Sequence, residues 1–89
     1  MDLNDYRKEI DAVDEQLLAL FARRMEISAA IAAYKKERGL PTYDPAREEA
    51  ILKKRGAQAG ELAPYAEELF RCLFAQSKAL QNKKRQEEQ

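Results

Sequence analysis

From about Asn4 to Arg38 the chain has no Gly or Pro, and apolar residues return at Ile10, Val13, Leu17, Leu20, Ile27, Ile31 and Tyr34. The steps alternate between three and four with one gap at position 24, the spacing of a helix with an apolar stripe. Such a helix runs for about ten turns, roughly 50 Å at 1.5 Å per residue. A compact domain of this size is only about 25 Å across. The helix must therefore protrude, and its far half needs an apolar surface to lie against. A second copy of the chain is the economical source.

Gly39 stands where a helix C-terminus favours glycine, and Leu40 to Tyr43, with Pro41, form a short loop. Asp44-Pro45 reads as an N-cap followed by proline in the first helical position. A second helix is predicted to reach about Arg55, where the segment from Gly56 to Gly60 breaks it. Pro64 then opens a third helix through roughly Lys84, with Leu69, Leu73 and Leu80 on its core face. The tail 83–89 is almost wholly charged or amide and is expected to fray. The pattern predicts an all-α single domain over residues 1–89, built as long, short and long helices.

The chain has 89 residues, enough for one domain, and a domain this small often needs a disulfide, a metal or a partner subunit. Cys72 is the only cysteine and there is no histidine, which excludes an internal disulfide and argues against a Cys/His metal site. Cys72 itself reads as a small core hydrophobe. Oligomerisation is the support left over. Sixteen basic and sixteen acidic residues cancel, so no basic excess points to nucleic acid. Any bound anion must meet a few placed cations. The N-terminus carries Asp2 and Asp5 and no long apolar run, so neither a signal peptide nor a membrane span is expected, and a cytoplasmic location follows by default.

Polar residues that interrupt the stripe change the picture. The heptad column of Ile10, Leu17 and Ile31 contains Arg24, and Lys35 lies about 20° from Arg24 on the helical wheel, about three turns on. Ser28 shares that direction. Buried charge is costly unless paired. Taken alone, Arg24 could set register or pair with a core carboxylate, and Lys35 could snorkel to water. The third helix alters that balance, because Phe70, Phe74, Ser77 and Gln81 fall within about 60° of one another. Two cations facing a serine and a glutamine look like a polar pocket.

On the second helix Glu48 has no basic residue at +3 or +4, with Asp44 four before it, while Arg47 could pair with Asp44. Glu48 is thus free to accept from a ligand hydroxyl. Arg7 lies seventeen residues before Arg24, so the two stand roughly 25 Å apart along the axis. Within one chain they cannot grip one small molecule. On periodicity alone Arg7 is an exposed helix-start residue. In an antiparallel pairing of two long helices, however, the start of one passes the middle of the other.

The run Arg7-Lys8-Glu9-Ile10-Asp11-Ala12-Val13-Asp14-Glu15-Gln16-Leu17-Leu18-Ala19-Leu20, the later Arg23-Arg24 and Lys35, and Pro41-Thr42-Tyr43-Asp44-Pro45-Ala46-Arg47-Glu48 resemble the all-helical class of chorismate mutases. The resemblance covers about Leu3 to Gln81 and is to the monofunctional form. It implies an interlocked homodimer of three-helix protomers, with two sites each completed by an arginine of the other chain, and no metal or cofactor. Carried over, it implies Arg7 as the donated arginine and Arg24 as the binder of a substrate carboxylate. Lys35 and Gln81 would contact the ether oxygen. Asp44 and Glu48 would lie near the hydroxyl, with Arg47 in support and Ser77 at a carboxylate. The implied reaction turns chorismate into prephenate on the route to Phe and Tyr.

That rearrangement is unimolecular: one C–O bond breaks as a C–C bond forms, and no proton moves. Arginine forks suit the carboxylates, and donors aimed at the ether oxygen meet the charge that grows there. Lys35, Gln81, Arg24 and Glu48 are the expected catalytic set. Two alternatives stand beside this reading. One is an isochorismate pyruvate lyase on the same scaffold. The other is a non-enzymatic helical dimer whose seam charges only set register.

Overall fold

Asp2 starts the long helix. Its carboxylate accepts the Asp5 backbone N–H at 3.0 Å, and the Asp5 carboxylate accepts the Asp2 N–H at 3.0 Å, a reciprocal cap that satisfies two otherwise orphaned donors. From there a computed structural model describes residues 1–87 as α1 (Leu3–Glu37), α2 (Pro45–Ala59), a single 3₁₀ turn (Gly60–Leu62) and α3 (Ala63–Glu87). No strand occurs among the described residues, so the chain is all-α, as the sequence pattern predicts.

α1 is closed off by Gly39, two residues past its last helical position, whose φ of 66° suits a residue without Cβ. The Gly39 N–H reaches the Lys36 carbonyl at 3.2 Å and the Leu40 N–H reaches the Lys35 carbonyl at 2.9 Å, the paired bonds of a glycine-terminated helix. α2 begins as expected, with Asp44 accepting the Arg47 backbone N–H at 3.0 Å and Pro45 in the first turn.

Its end corrects the sequence reading. The helix does not break at Gly56 but continues to Ala59. Gly56 is buried where α2 packs on α3, and a Cβ there would come 3.0 Å from the movable Glu67 Oε1 of α3. The real stop is Gly60, with φ 60°. α3 extends to Glu87, past the expected Lys84, so the backbone of the predicted fraying tail is helical as far as 87; residues 88–89 lie outside the described residues.

The packed interior is small. Leu52 and Phe74 are the buried apolar residues, Ser77 is buried beside them, and no described side chain is completely enclosed. α3 turns Phe70, Phe74, Ser77 and Gln81 inward, the stripe seen in the sequence. Leu73 and Leu80 are half-buried, but Leu69 is 49% exposed and is not core. Cys72 is also exposed, not the core residue expected, because it lies away from that stripe.

α1 meets α3 through Met25 against Ser77, Ser28 against Gln81, and Arg24 over Phe70 and Phe74. The heptad row itself remains uncovered: Ile10, Val13, Leu17, Leu20, Ile27, Ile31 and Tyr34 are each at least 50% exposed. The molecule measures 55 × 29 × 16 Å with a radius of gyration of 16.4 Å, against about 12 Å for a compact chain of this length. Among the described residues, no helix is long and apolar enough to cross a membrane.

Candidate active site

Where α1, α2 and α3 converge they leave a cleft of about 690 Å³. Arg24, Lys35, Asp44, Arg47, Glu48, Ser77 and Gln81 all line it. Arg7 does not: it sits on the exposed N-terminal half of α1, well away along the axis. Seven of the eight residues singled out from sequence are therefore brought together by one chain.

Arg24 is the most perturbed of them. Its Cζ lies 5.5 Å from the Phe74 ring centre and 5.9 Å from that of Phe70, so the guanidinium rests against aromatic faces. Burial, and secondarily the neighbouring Arg55 guanidinium, lower its pKa from the ordinary arginine value. Among the described residues no carboxylate forms an ion pair with it. Among the described residues the core carboxylate that could pair with Arg24 is absent. A desolvated cation beside another cation is stabilised by an incoming anion.

The remaining donors are only lightly engaged by the protein. Gln81 Nε2 donates to Ser28 Oγ at 3.2 Å, using one of its two N–H groups. Lys35 Nζ donates to the Thr42 carbonyl at 3.4 Å, using one of three and tying the α1–α2 loop to the cleft. Buried Ser77 directs its hydroxyl at Met25 Sδ, 3.5 Å away. Sulfur is a weak acceptor, so that hydroxyl remains available to a stronger one.

On α2, the capping carboxylate of Asp44 fixes where the helix begins and thereby places Arg47 and Glu48 over the opening. The side-chain pair of Arg47 with Asp44 suggested by their spacing is instead a backbone bond. Glu48 is not without a partner: Lys78 on α3 lies 3.2 Å from Oε2 and 3.4 Å from Oε1. Sequence reasoning missed Lys78 and Arg55. Both sit at helical spacing from cleft residues, Lys78 four after Phe74 and Arg55 four after Ile51, which was the signal. In total Arg24, Lys35, Arg47, Arg55, Lys78 and Arg85 face two carboxylates, Asp44 and Glu48, across this cleft. The charge balance of the whole chain, net +0, conceals that local excess.

Fold and cleft together define an all-α domain with a cation-lined, aromatic-walled pocket sized for a small molecule. A sequence profile of the family described as chorismate mutase type II matches residues 6–82. The chain belongs to that family. It is 31% identical over 90 residues to a chorismate mutase of Methanocaldococcus jannaschii, covering 98% of this chain and 91% of that protein. It is 39% identical over 83 residues to the T-protein of Haemophilus influenzae, covering 90% of this chain but 22% of that protein. A 4-amino-4-deoxychorismate mutase of Streptomyces venezuelae is 37% identical over 57 residues, 64% of this chain and 54% of that protein. The chain spans less than a quarter of the length of the two T-proteins it matches, from Haemophilus influenzae and Enterobacter agglomerans. No solved structure matches it significantly.

Proposed function

We propose that this protein is a chorismate mutase, converting chorismate to prephenate in a cytoplasmic homodimer with no metal or cofactor. The observation that carries the reading is Arg24: a half-buried guanidinium on two aromatic rings, without a carboxylate partner among the described residues, in one cleft with the lightly engaged donors of Lys35 and Gln81. Family membership and the relatives named for mutases of chorismate and its 4-amino analogue support it.

In this reading Arg24 takes a substrate carboxylate in a bidentate grip, with Ser77 assisting. Arg7 of the second chain takes part in the same site and helps to restrain the substrate in its folded, reactive shape. Lys35 and the free Gln81 N–H aim at the ether oxygen. As the C–O bond lengthens and the C–C bond forms, negative charge grows on that oxygen, and these donors stabilise the transition state more than the ground state. Asp44 and Glu48 lie toward the substrate hydroxyl, and Arg47 supports them. The electron reorganisation is cyclic and internal, so no external base or oxidant enters the balance.

Chorismate is preferred over 4-amino-4-deoxychorismate as the substrate because Glu48, the acceptor beside that position, already holds a cation in Lys78. Incubation of the purified protein with chorismate and, separately, with isochorismate tests the reading. Prephenate from chorismate is the expected result. Pyruvate from isochorismate alone identifies the lyase, and inertness toward both identifies a non-enzymatic dimer.

A further inference from the structure

We propose that Lys78 determines which substrate group the cleft accepts beside Glu48, favouring a hydroxyl and refusing an ammonium. The inference rests on the chorismate mutase reading and deepens it. Lys78 Nζ lies 3.2 Å and 3.4 Å from the two Glu48 oxygens, joining α3 to α2. The same ammonium stands 4.1 Å from the centre of the Tyr43 ring, which fixes it from the loop side. The Glu48 side chain is 26% exposed and that of Lys78 46%, so the carboxylate is the more enclosed of the two and the lysine closes it from the rim.

A carboxylate alone binds an ammonium more strongly than an alcohol, because the bond is charge-assisted. Lys78 reverses that order. Its charge cancels that of Glu48, and a second cation brought to the same oxygens must either displace Lys78 or lie close against it. At a few ångströms, like charges in a partly buried site repel by enough to change an equilibrium constant by more than about tenfold. A hydroxyl suffers no such repulsion. It needs one acceptor site, and a carboxylate bound to one lysine keeps others. Lys78 does not touch the substrate in this account; it is a positioning residue that sets the charge state the substrate meets.

The test compares kcat/KM for chorismate and 4-amino-4-deoxychorismate, whose allylic amine is protonated near neutral pH. Three purified full-length proteins are needed: the parent, Lys78→Met, which keeps the aliphatic stem on Tyr43, and Lys78→Arg, which keeps the charge. The parent is expected to prefer chorismate. The methionine variant is expected to shift the ratio toward the amine by about tenfold or more, mainly through a lower KM for the amine, and the arginine variant to retain the parent ratio. Lys78→Gln serves the same comparison if the methionine protein loses its helical signal. A parent that prefers the amine, an unchanged ratio in the charge-free variants, or an equal shift in Lys78→Arg overturns the proposal while leaving the mutase reading intact. No turnover of chorismate by the parent overturns the mutase reading and this inference with it.

Discussion

A hydrogen-bond donor matters to catalysis when it is held still and left partly unused. Gln81 meets both conditions, since Ser28 fixes one amide hydrogen and the other stays free in the cleft. Lys35 is held comparably by the Thr42 carbonyl. Gln81→Ala and Lys35→Ala are therefore expected to lower kcat by about 10² to 10³, with much smaller changes in KM, by analogy with the loss of one oxyanion donor. Steady-state kinetics on chorismate checks this, and a variant with near-parent turnover contradicts the assigned role. Gln81→Glu separates charge from shape. The glutamic acid donates only when protonated, so activity is expected at acidic pH and to fall about tenfold per pH unit above the side chain's pKa. A flat pH–rate profile refutes the role. Arg24, Lys35, Ser77 and Gln81 were legible in the sequence because each is polar where the period requires an apolar residue. Arg55 and Lys78 were not, because a cation on a charged helix surface looks the same whether it faces solvent or a cleft.

Helices impose a different test, and two glycines answer it with opposite signs. Gly39 sits at positive φ with nothing within 4 Å of a built Cβ, so its requirement is purely conformational. Gly39→Ala is expected to destabilise the fold by about 1 kcal/mol. Gly56 is helical, and its nearest obstacle is the movable carboxylate end of Glu67 at 3.0 Å. Gly56→Ala is expected to stabilise by about 0.5 to 1 kcal/mol through helix propensity once Glu67 swings aside. Thermal melts at one fixed protein concentration read both, and opposite shifts in Tm are the predicted outcome. The helix starts at Asp2 and Asp44 and the stop at Gly39 follow from local chemistry, which is why the sequence places them within a residue or so. The end of α2 does not. The helix runs on through Gly56 where α3 packs over it, and a tertiary contact leaves no mark that a local pattern can carry.

At the scale of the molecule, one chain accounts for a pocket but not for its own surface. The apolar row of α1 has the spacing of a seam, yet within the chain α1 uses a different face, with Met25 and Ser28, to reach α3. The seam is left in solvent over most of the 55 Å length of the molecule. Each large apolar side chain fully buried there would contribute about 1.5 to 3 kcal/mol, so the proposed second copy laid along the stripe would supply what the small core around Leu52 and Phe74 lacks. In the proposed homodimer the same arrangement would carry Arg7 to the other chain's cleft. The most direct measurement of this claim mixes Arg7→Ala and Arg24→Ala chains by joint unfolding and refolding and assays chorismate turnover. Each variant alone is expected to be nearly inactive, and the mixture to recover roughly a quarter of parent activity, because half the dimers are mixed and each holds one site free of both lesions. A mixture as inactive as its components, or Arg7→Ala chains that retain full activity, contradicts a site shared between two chains.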